Sequence, residues 1–122
     1  MMDRDDSPIG QVSTARVREW LEENLDAYWL EGPKVFVGAV VLADDVLGYL
    51  EKDEDWAEAY LLLGNAYERA MPVASALGID WVDMRTVYRS HARDAYNAAT
   101  KAFFALGRAE RAGECQIAAE RV

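Results

Sequence analysis

The chain of 122 residues has one cysteine, Cys115, and one histidine, His91. A lone cysteine cannot form an intramolecular disulfide, which favours a reducing compartment. One cysteine and one histidine are too few for a zinc site, and the carboxylates lack the E-x-x-H pairs that di-iron helical bundles use. We therefore expect no metal and no cofactor.

Long hydrophobic runs are also missing. No apolar stretch approaches the roughly 20 residues that a membrane span requires, and the opening MMDRDDSPIGQVS has no hydrophobic core of a signal peptide. The sequence has no G-x-S-x-G motif, no phosphate-binding glycine loop and no Cys/His pair at the spacing of a nucleophile and its base. We predict a cytoplasmic protein that is not an enzyme.

Basic residues are scarce as well. Lys and Arg number 13 against 22 Asp and Glu, a formal net charge of -9. The only lysines are Lys34, Lys52 and Lys101. Such a charge repels nucleic acid and anionic lipid, so neither is an expected partner. Hydrophobic residues make up 52% of the chain, enough for one domain around one core.

Helical periodicity runs through most of the chain. Residues 1–12 have no period and predict a flexible tail, followed by a single helical domain over 13–122. Residues 13–50 form an N-terminal hairpin, with a first helix capped by Ser13 or Thr14 and ended by Gly32-Pro33. The segment from Lys34 to Leu50 has the β-branched composition of a buried strand, but no second strand exists to pair with it, so we interpret it as a buried helix.

Residues 51–122 continue the helical pattern. A central helix begins near Glu54 or Asp55 and ends or kinks at Met71-Pro72. Asp80 is the expected cap of a long helix from Trp81 to Leu106, which Gly107 breaks before a last helix over 108–122. The prediction is an all-α domain of five to six helices and no sheet.

The run from Trp56 to Tyr67, WAEAYLLLGNAY, places an aromatic residue, Leu-Gly and a second tyrosine at helical spacing. It resembles the first helix of a tetratricopeptide repeat (TPR). A second copy follows at an offset of 36 residues, since Tyr60 and Tyr67 align with Tyr96 and Phe103. The resemblance implies that residues 51–122 form TPR-like antiparallel hairpins.

In the TPR family a partner peptide usually lies in a concave groove lined by the first helix of each hairpin. The resemblance therefore implies a non-catalytic module that binds a protein or peptide. Asparagine amides there would pair with a peptide backbone, and a lysine and a phenylalanine would supply a counter-charge and an apolar anchor. The positions carried over are Glu58, Leu61, Asn65, Glu68, Arg69, Asn97, Lys101 and Phe104, with Asp94 beside them. The alternative is that these polar residues are ordinary solvated surface.

Two other interpretations remain open. Four tryptophans in so short a chain leave room for a homo-oligomer interface, which would make the protein a self-assembling helical bundle. Arg85-x5-His91 resembles the R-x4–6-H signature of HEPN ribonucleases or their toxin–antitoxin relatives, although Thr86 stands where that family usually has Asn, Asp or His. Arg89 and Arg93 extend Arg85 into a basic stripe, suited to a phosphate, to an acidic peptide or to carboxylates of neighbouring helices.

Overall fold

The computed structural model describes residues 12–76 and 83–122, and in these ranges it contains helices and turns but no strand. The described residues form five α-helices and one 3-10 segment. They are α1 Thr14–Glu31, α2 Pro33–Leu47, α3 Glu54–Ala70, the 3-10 segment Met71–Ala76, α4 Met84–Ala105 and α5 Ala109–Arg121. The all-α prediction is confirmed, and the ambiguous VFVGAVVLA segment is helical. Nearly all of the predicted tail lies outside the described residues.

Local signals set the helix ends. Ser13 accepts a hydrogen bond from the backbone N–H of Arg16 and so caps α1. Gly32 has a φ of 134°, a conformation that glycine adopts without strain, and it reverses the chain into α2. The cap predicted at Asp80 lies outside the described residues, whereas Asp83 is the N-cap of α4. This helix therefore begins at Met84 rather than at Trp81.

Three helices run in the same direction. The hydroxyl of Thr14, at the start of α1, donates to Asp53 just before α3, at 2.7 Å. Near the other ends of these helices Arg69 pairs with Asp26 at 2.6 Å. Glu58 of α3 pairs with Arg111 of α5, and Glu68, later in α3, pairs with Arg121, later in α5. Helices α1, α3 and α5 are therefore parallel, with α3 between the other two.

The intervening helices run the opposite way. The start of α3 pairs with Arg108, beyond the end of α4, whereas Tyr67 near the end of α3 stacks on Tyr88 near the start of α4. The chain is thus a succession of antiparallel hairpins, with α4 the second helix of the hairpin that α3 opens. The alignment at an offset of 36 residues predicts that α4 is the first helix of a second copy, in the position that α3 has in the first. Because α4 runs antiparallel to α3, this assignment is wrong.

The core centres on α3, which contacts α1, α2 and α4. Its closest contact is at Gly64, where an added Cβ would lie 2.6 Å from Cε1 of the fully buried Tyr96 ring. Glycine in mid-helix costs about 1 kcal/mol against alanine, and here it allows this ring to lie on the backbone of α3. Within the described ranges no helix combines the length and apolar character needed to cross a membrane.

Candidate functional site

The predicted groove residues of α3 are engaged in contacts within the molecule. Two guanidinium nitrogens of Arg111, Nε and Nη2, donate to the two carboxylate oxygens of Glu58, and Arg121 pairs with Glu68. Such forked arginine–carboxylate pairs hold two side chains in one geometry. These carboxylates join α3 to α5, so a partner peptide would have to displace the arginines to reach them.

Asn65 and Glu68 share a contact with α4. The hydroxyl of Tyr96 lies 2.6 Å from Asn65 Oδ1 and 2.5 Å from Glu68 Oε1. Burial, followed by the Glu68 carboxylate, raises the pKa of Tyr96 above its ordinary value. Since a buried hydroxyl needs a partner, this contact satisfies a polar group of the core.

Two further α3 residues face other neighbours. Arg69 pairs with Asp26 of α1, and its guanidinium carbon lies 4.7 Å from the centre of the Trp29 ring. Leu61 is half-buried against the core. Glu58, Glu68 and Arg69 thus join α3 to the helices parallel to it. Asn65 instead contacts the antiparallel α4, and Leu61 packs on the core.

The predicted residues of α4 lie in a separate place. Asn97 and Lys101 open into a cleft of about 560 Å³ between α4 and the turn that precedes α3. We call this the lysine cleft. Its lining residues are Lys52, Trp56, Asp94, Asn97, Ala98, Lys101, Ala102 and Ala105. Phe104, the predicted anchor, is 56% exposed and does not line it. The eight predicted residues thus lie on more than one surface, because α3 and α4 run in opposite directions.

The lysine cleft brings together two residues of a type that is scarce in the chain. Two of the three lysines, Lys52 and Lys101, line it, and neither forms an ion pair with a carboxylate of the described residues. The ammonium of Lys52 lies 5.4 Å from the centre of the Trp56 ring, within range of a cation–π contact. Asp94 supplies one negative charge at the same surface. The cleft is therefore locally cationic on a strongly anionic molecule.

Sequence reasoning missed Lys52 and Trp56 as site residues. Lys52 belongs to the turn before α3, and Trp56 is buried with its indole N–H donated to the carbonyl of Leu47 at 2.9 Å. The scarcity of lysine was the available signal, since it singles out three positions. Which two of them meet depends on the direction of α4.

A second polar cluster joins α2 to α3. The hydroxyl of Tyr60 donates to Asp44 Oδ1 at 2.6 Å, and that of Tyr67 lies 3.4 Å from Oδ2. Burial is the largest cause that raises the pKa values of Tyr60 and Tyr67, and the Asp44 carboxylate adds to it. The Asp44 carboxylate thus joins α2 to α3 through two tyrosine hydroxyls.

The arginine stripe and His91 lie on the exposed side of α4. Arg93 donates to the backbone carbonyl of Val122 at 2.6 Å. None of the three arginines forms an ion pair with a carboxylate in the part of the chain that the structure describes, so the expected pairing with neighbouring helices is not seen there. The His91 ring stacks on Tyr67, with 5.1 Å between centres, and no described hydrogen bond joins it to Arg85.

Residues 12–76 and 83–122 contain no group of three side chains placed to hold a metal ion. Comparison of the chain with protein family models, with curated proteins and with solved structures gives no match. Its function is therefore inferred from its own geometry, in which the lysine cleft combines cationic side chains with open volume.

Proposed function

We propose that the protein is a non-catalytic interaction module that binds an acidic segment of a partner protein in the lysine cleft. The observation that supports the proposal is that Lys52 and Lys101 line the same cleft on a chain of net charge -9. No described carboxylate is paired with either lysine. The net charge disfavours acidic partners over most of the remaining surface, where the exposed arginines of α4 are the other cationic group. We place the acidic segment in the lysine cleft because its two lysines line an open volume.

The floor of the cleft suits a peptide main chain. Ala98, Ala102 and Ala105 lie at spacings of four and three on one side of α4, and their short side chains leave room for close approach. Asn97 stands beside them with an amide that both donates and accepts, as a peptide backbone requires. The cleft thus offers shape and backbone pairing from α4, together with charge from both of its sides.

Electrostatics predicts how such binding responds to conditions. An exposed lysine–carboxylate pair contributes only about 0.2–1 kcal/mol and is screened by salt. The peptide should therefore bind more weakly as ionic strength rises, and its affinity should depend on both lysines. The TPR resemblance supports the same class of function, although it places the peptide on the face of the parallel helices.

The first test measures the affinity of the native protein for a fluorescent peptide of alternating glutamate and alanine, by anisotropy. We expect the double substitution Lys52→Ala/Lys101→Ala to weaken binding by about twofold to thirtyfold, since two charge contacts of about 0.2–1 kcal/mol each are lost. Arg85→Ala/Arg89→Ala is the matched control, because it removes two exposed positive charges that lie outside the cleft. Equal losses in both variants would show that net charge alone is responsible.

A second substitution is expected to strengthen binding of the peptide instead of weakening it. Asp94→Asn removes the one negative charge that lines the cleft and keeps its size, so it should tighten binding of the same peptide by about twofold to fivefold. A lysine–alanine peptide serves as the charge-reversed control and should not gain. If Asp94→Asn weakens the glutamate peptide, the carboxylate binds a donor of the peptide and the proposed polarity of the partner is wrong.

A further inference from the structure

One face of α2 is apolar, exposed and without a neighbour among the described helices. Val35 and Leu42 are 43% and 59% exposed. Gly38 shares their stripe, since these positions follow spacings of three and four. Tyr49, in the turn that follows α2, is 92% exposed. The adjoining surface of α1 and α2 is also apolar; its lining side chains include Val12, Val17, Trp20, Ala43 and Val46. This face ends the helical array on the α1/α2 side.

The opposite end of the array is polar. The side chains exposed on α5 are mostly charged or amide groups, with Ile117 the one large apolar exception. They are Glu110, Glu114, Gln116, Ile117, Glu120 and Arg121. The two ends of the molecule therefore differ, because the α5 end is mostly polar and the α1/α2 end exposes an apolar face. Head-to-tail stacking would set an apolar face against a charged one, which leaves face-to-face association of like surfaces.

Two charges of α2 oppose the dipole of their own helix. Lys34 lies in the first turn, where an anion is favoured, and Asp45 lies in the last turn, where a cation is favoured. Both side chains are exposed, and neither forms an ion pair with a residue that the structure describes. Asp44 is explained by its two tyrosine contacts, but no contact within the described molecule explains Asp45.

Gly38 is unexplained by packing within the molecule. A Cβ built on it would meet no atom within 4 Å, unlike Gly64, where glycine makes room for Tyr96. An exposed mid-helix glycine lowers the stability of a helix. Gly113 of α5 has the same open surroundings, so Gly38 counts here only together with the apolar stripe and the charges at positions 34 and 45. Beside Leu42 it would let a second helix approach closely.

We propose that two copies of the chain associate through α2, packed antiparallel on the α2 of the partner subunit about a two-fold axis near its middle. Positions 34 and 45 are equally far from that axis, so Lys34 faces Asp45 of the partner subunit, and the reciprocal pair forms by symmetry. Each pair offsets two unfavourable helix-end charges. The apolar stripe is buried between the pairs, and Gly38 lies close to the axis, where the helices are nearest.

The test follows mass in solution by sedimentation over a range of concentrations at physiological ionic strength, where repulsion between the two acidic chains is screened. We expect the native protein to form a dimer. Leu42→Glu should raise the dimer dissociation constant at least a hundredfold, whereas Ile117→Glu, an equally exposed site on α5, should leave it unchanged. A native protein that stays monomeric, or an Ile117→Glu variant that dissociates as readily, would overturn the proposal.

Charge reversal tests the antiparallel register. Asp45→Lys places a lysine against Lys34 of the partner subunit and should weaken the dimer about tenfold or more. The double substitution Lys34→Glu/Asp45→Lys restores opposite charges and should recover most of that loss. These residues are exposed, so folding should be retained, and circular dichroism verifies it. A double variant no tighter than Asp45→Lys alone would contradict the proposed pairing.

Discussion

Replacing Gly64 with alanine is expected to lower the free energy of unfolding by about 2 kcal/mol, because overpacking a filled core costs about 1–3 kcal/mol and here outweighs the gain in helix propensity. The new methyl would lie 2.6–2.9 Å from three atoms of the Tyr96 ring. This ring is fully buried, and its hydroxyl is held by Asn65 and Glu68, so it has little freedom to move away. Urea unfolding followed by circular dichroism provides the measurement.

Gly113→Ala is the matched control. Gly113 also lies inside a helix, but a Cβ there would meet no atom within 4 Å. It should stabilise the protein by about 0.5–1 kcal/mol, the ordinary preference for alanine over glycine in a helix. The same chemical change thus has opposite signs at the two positions. A stabilising Gly64→Ala would show that the ring of Tyr96 moves easily and that the contact between α3 and α4 is loose.

Raising the pH above about 10 is expected to destabilise the protein steeply, because tyrosine titrates there in an unfolded chain. Burial raises the pKa values of Tyr67 and Tyr96 in the folded state, and the carboxylates of Asp44 and Glu68 add to the effect. The unfolded chain therefore loses these protons first. The stability that they contribute is complete below the unfolded pKa and is lost as the pH rises towards the folded pKa.

The slope gives the size of this effect. Each tyrosine that stays protonated only when folded removes about 1.4 kcal/mol per pH unit, so Tyr67 and Tyr96 together remove about 3 kcal/mol per unit. The pKa values of Tyr60 and Tyr88 are also raised, chiefly by burial, and these residues add to the slope. Urea unfolding at a series of alkaline pH values, with tyrosinate absorbance recorded in parallel, gives the slope. Tyr96→Phe should reduce it by about 1.4 kcal/mol per pH unit. Ionisation of all tyrosines near pH 10 without unfolding would contradict the expectation.

Much of the helical architecture could be predicted because its determinants are local. Ser13, Gly32-Pro33 and Asp53 mark helix ends through groups that lie within four residues in sequence. The absence of a pairing strand predicts a helix from Lys34 to Leu50, and the structure has a helix there that ends at Leu47. The start of α4 was placed too early because Asp80 and Asp83 both suit an N-cap, and only the structure shows which residue the helix follows.

The candidate site depended on longer distances and was harder to anticipate. An internal alignment can match Tyr60 with Tyr96, but it carries no information on whether the two helices run parallel or antiparallel. That direction decides whether Asn97 and Lys101 face the polar residues of α3 or Lys52 and Trp56. The ion pairs of Glu58 and Glu68 likewise join residues more than 50 positions apart, beyond the reach of local patterns.

The central position of α3 also has a consequence for synthesis on the ribosome. Chains emerge from their N-terminus, at about 5–20 residues per second in cells. The hairpin of α1 and α2 is therefore synthesised before α3. Until α3 emerges, the core residues Leu21, Phe36 and Val40 lack the helix against which they are buried. Release of α3 lets this half close, and α4 must follow before Tyr96 covers Gly64. The interval between these two events, set by the rate of translation, is when the nascent chain exposes the apolar side of α3 and most needs protection from aggregation.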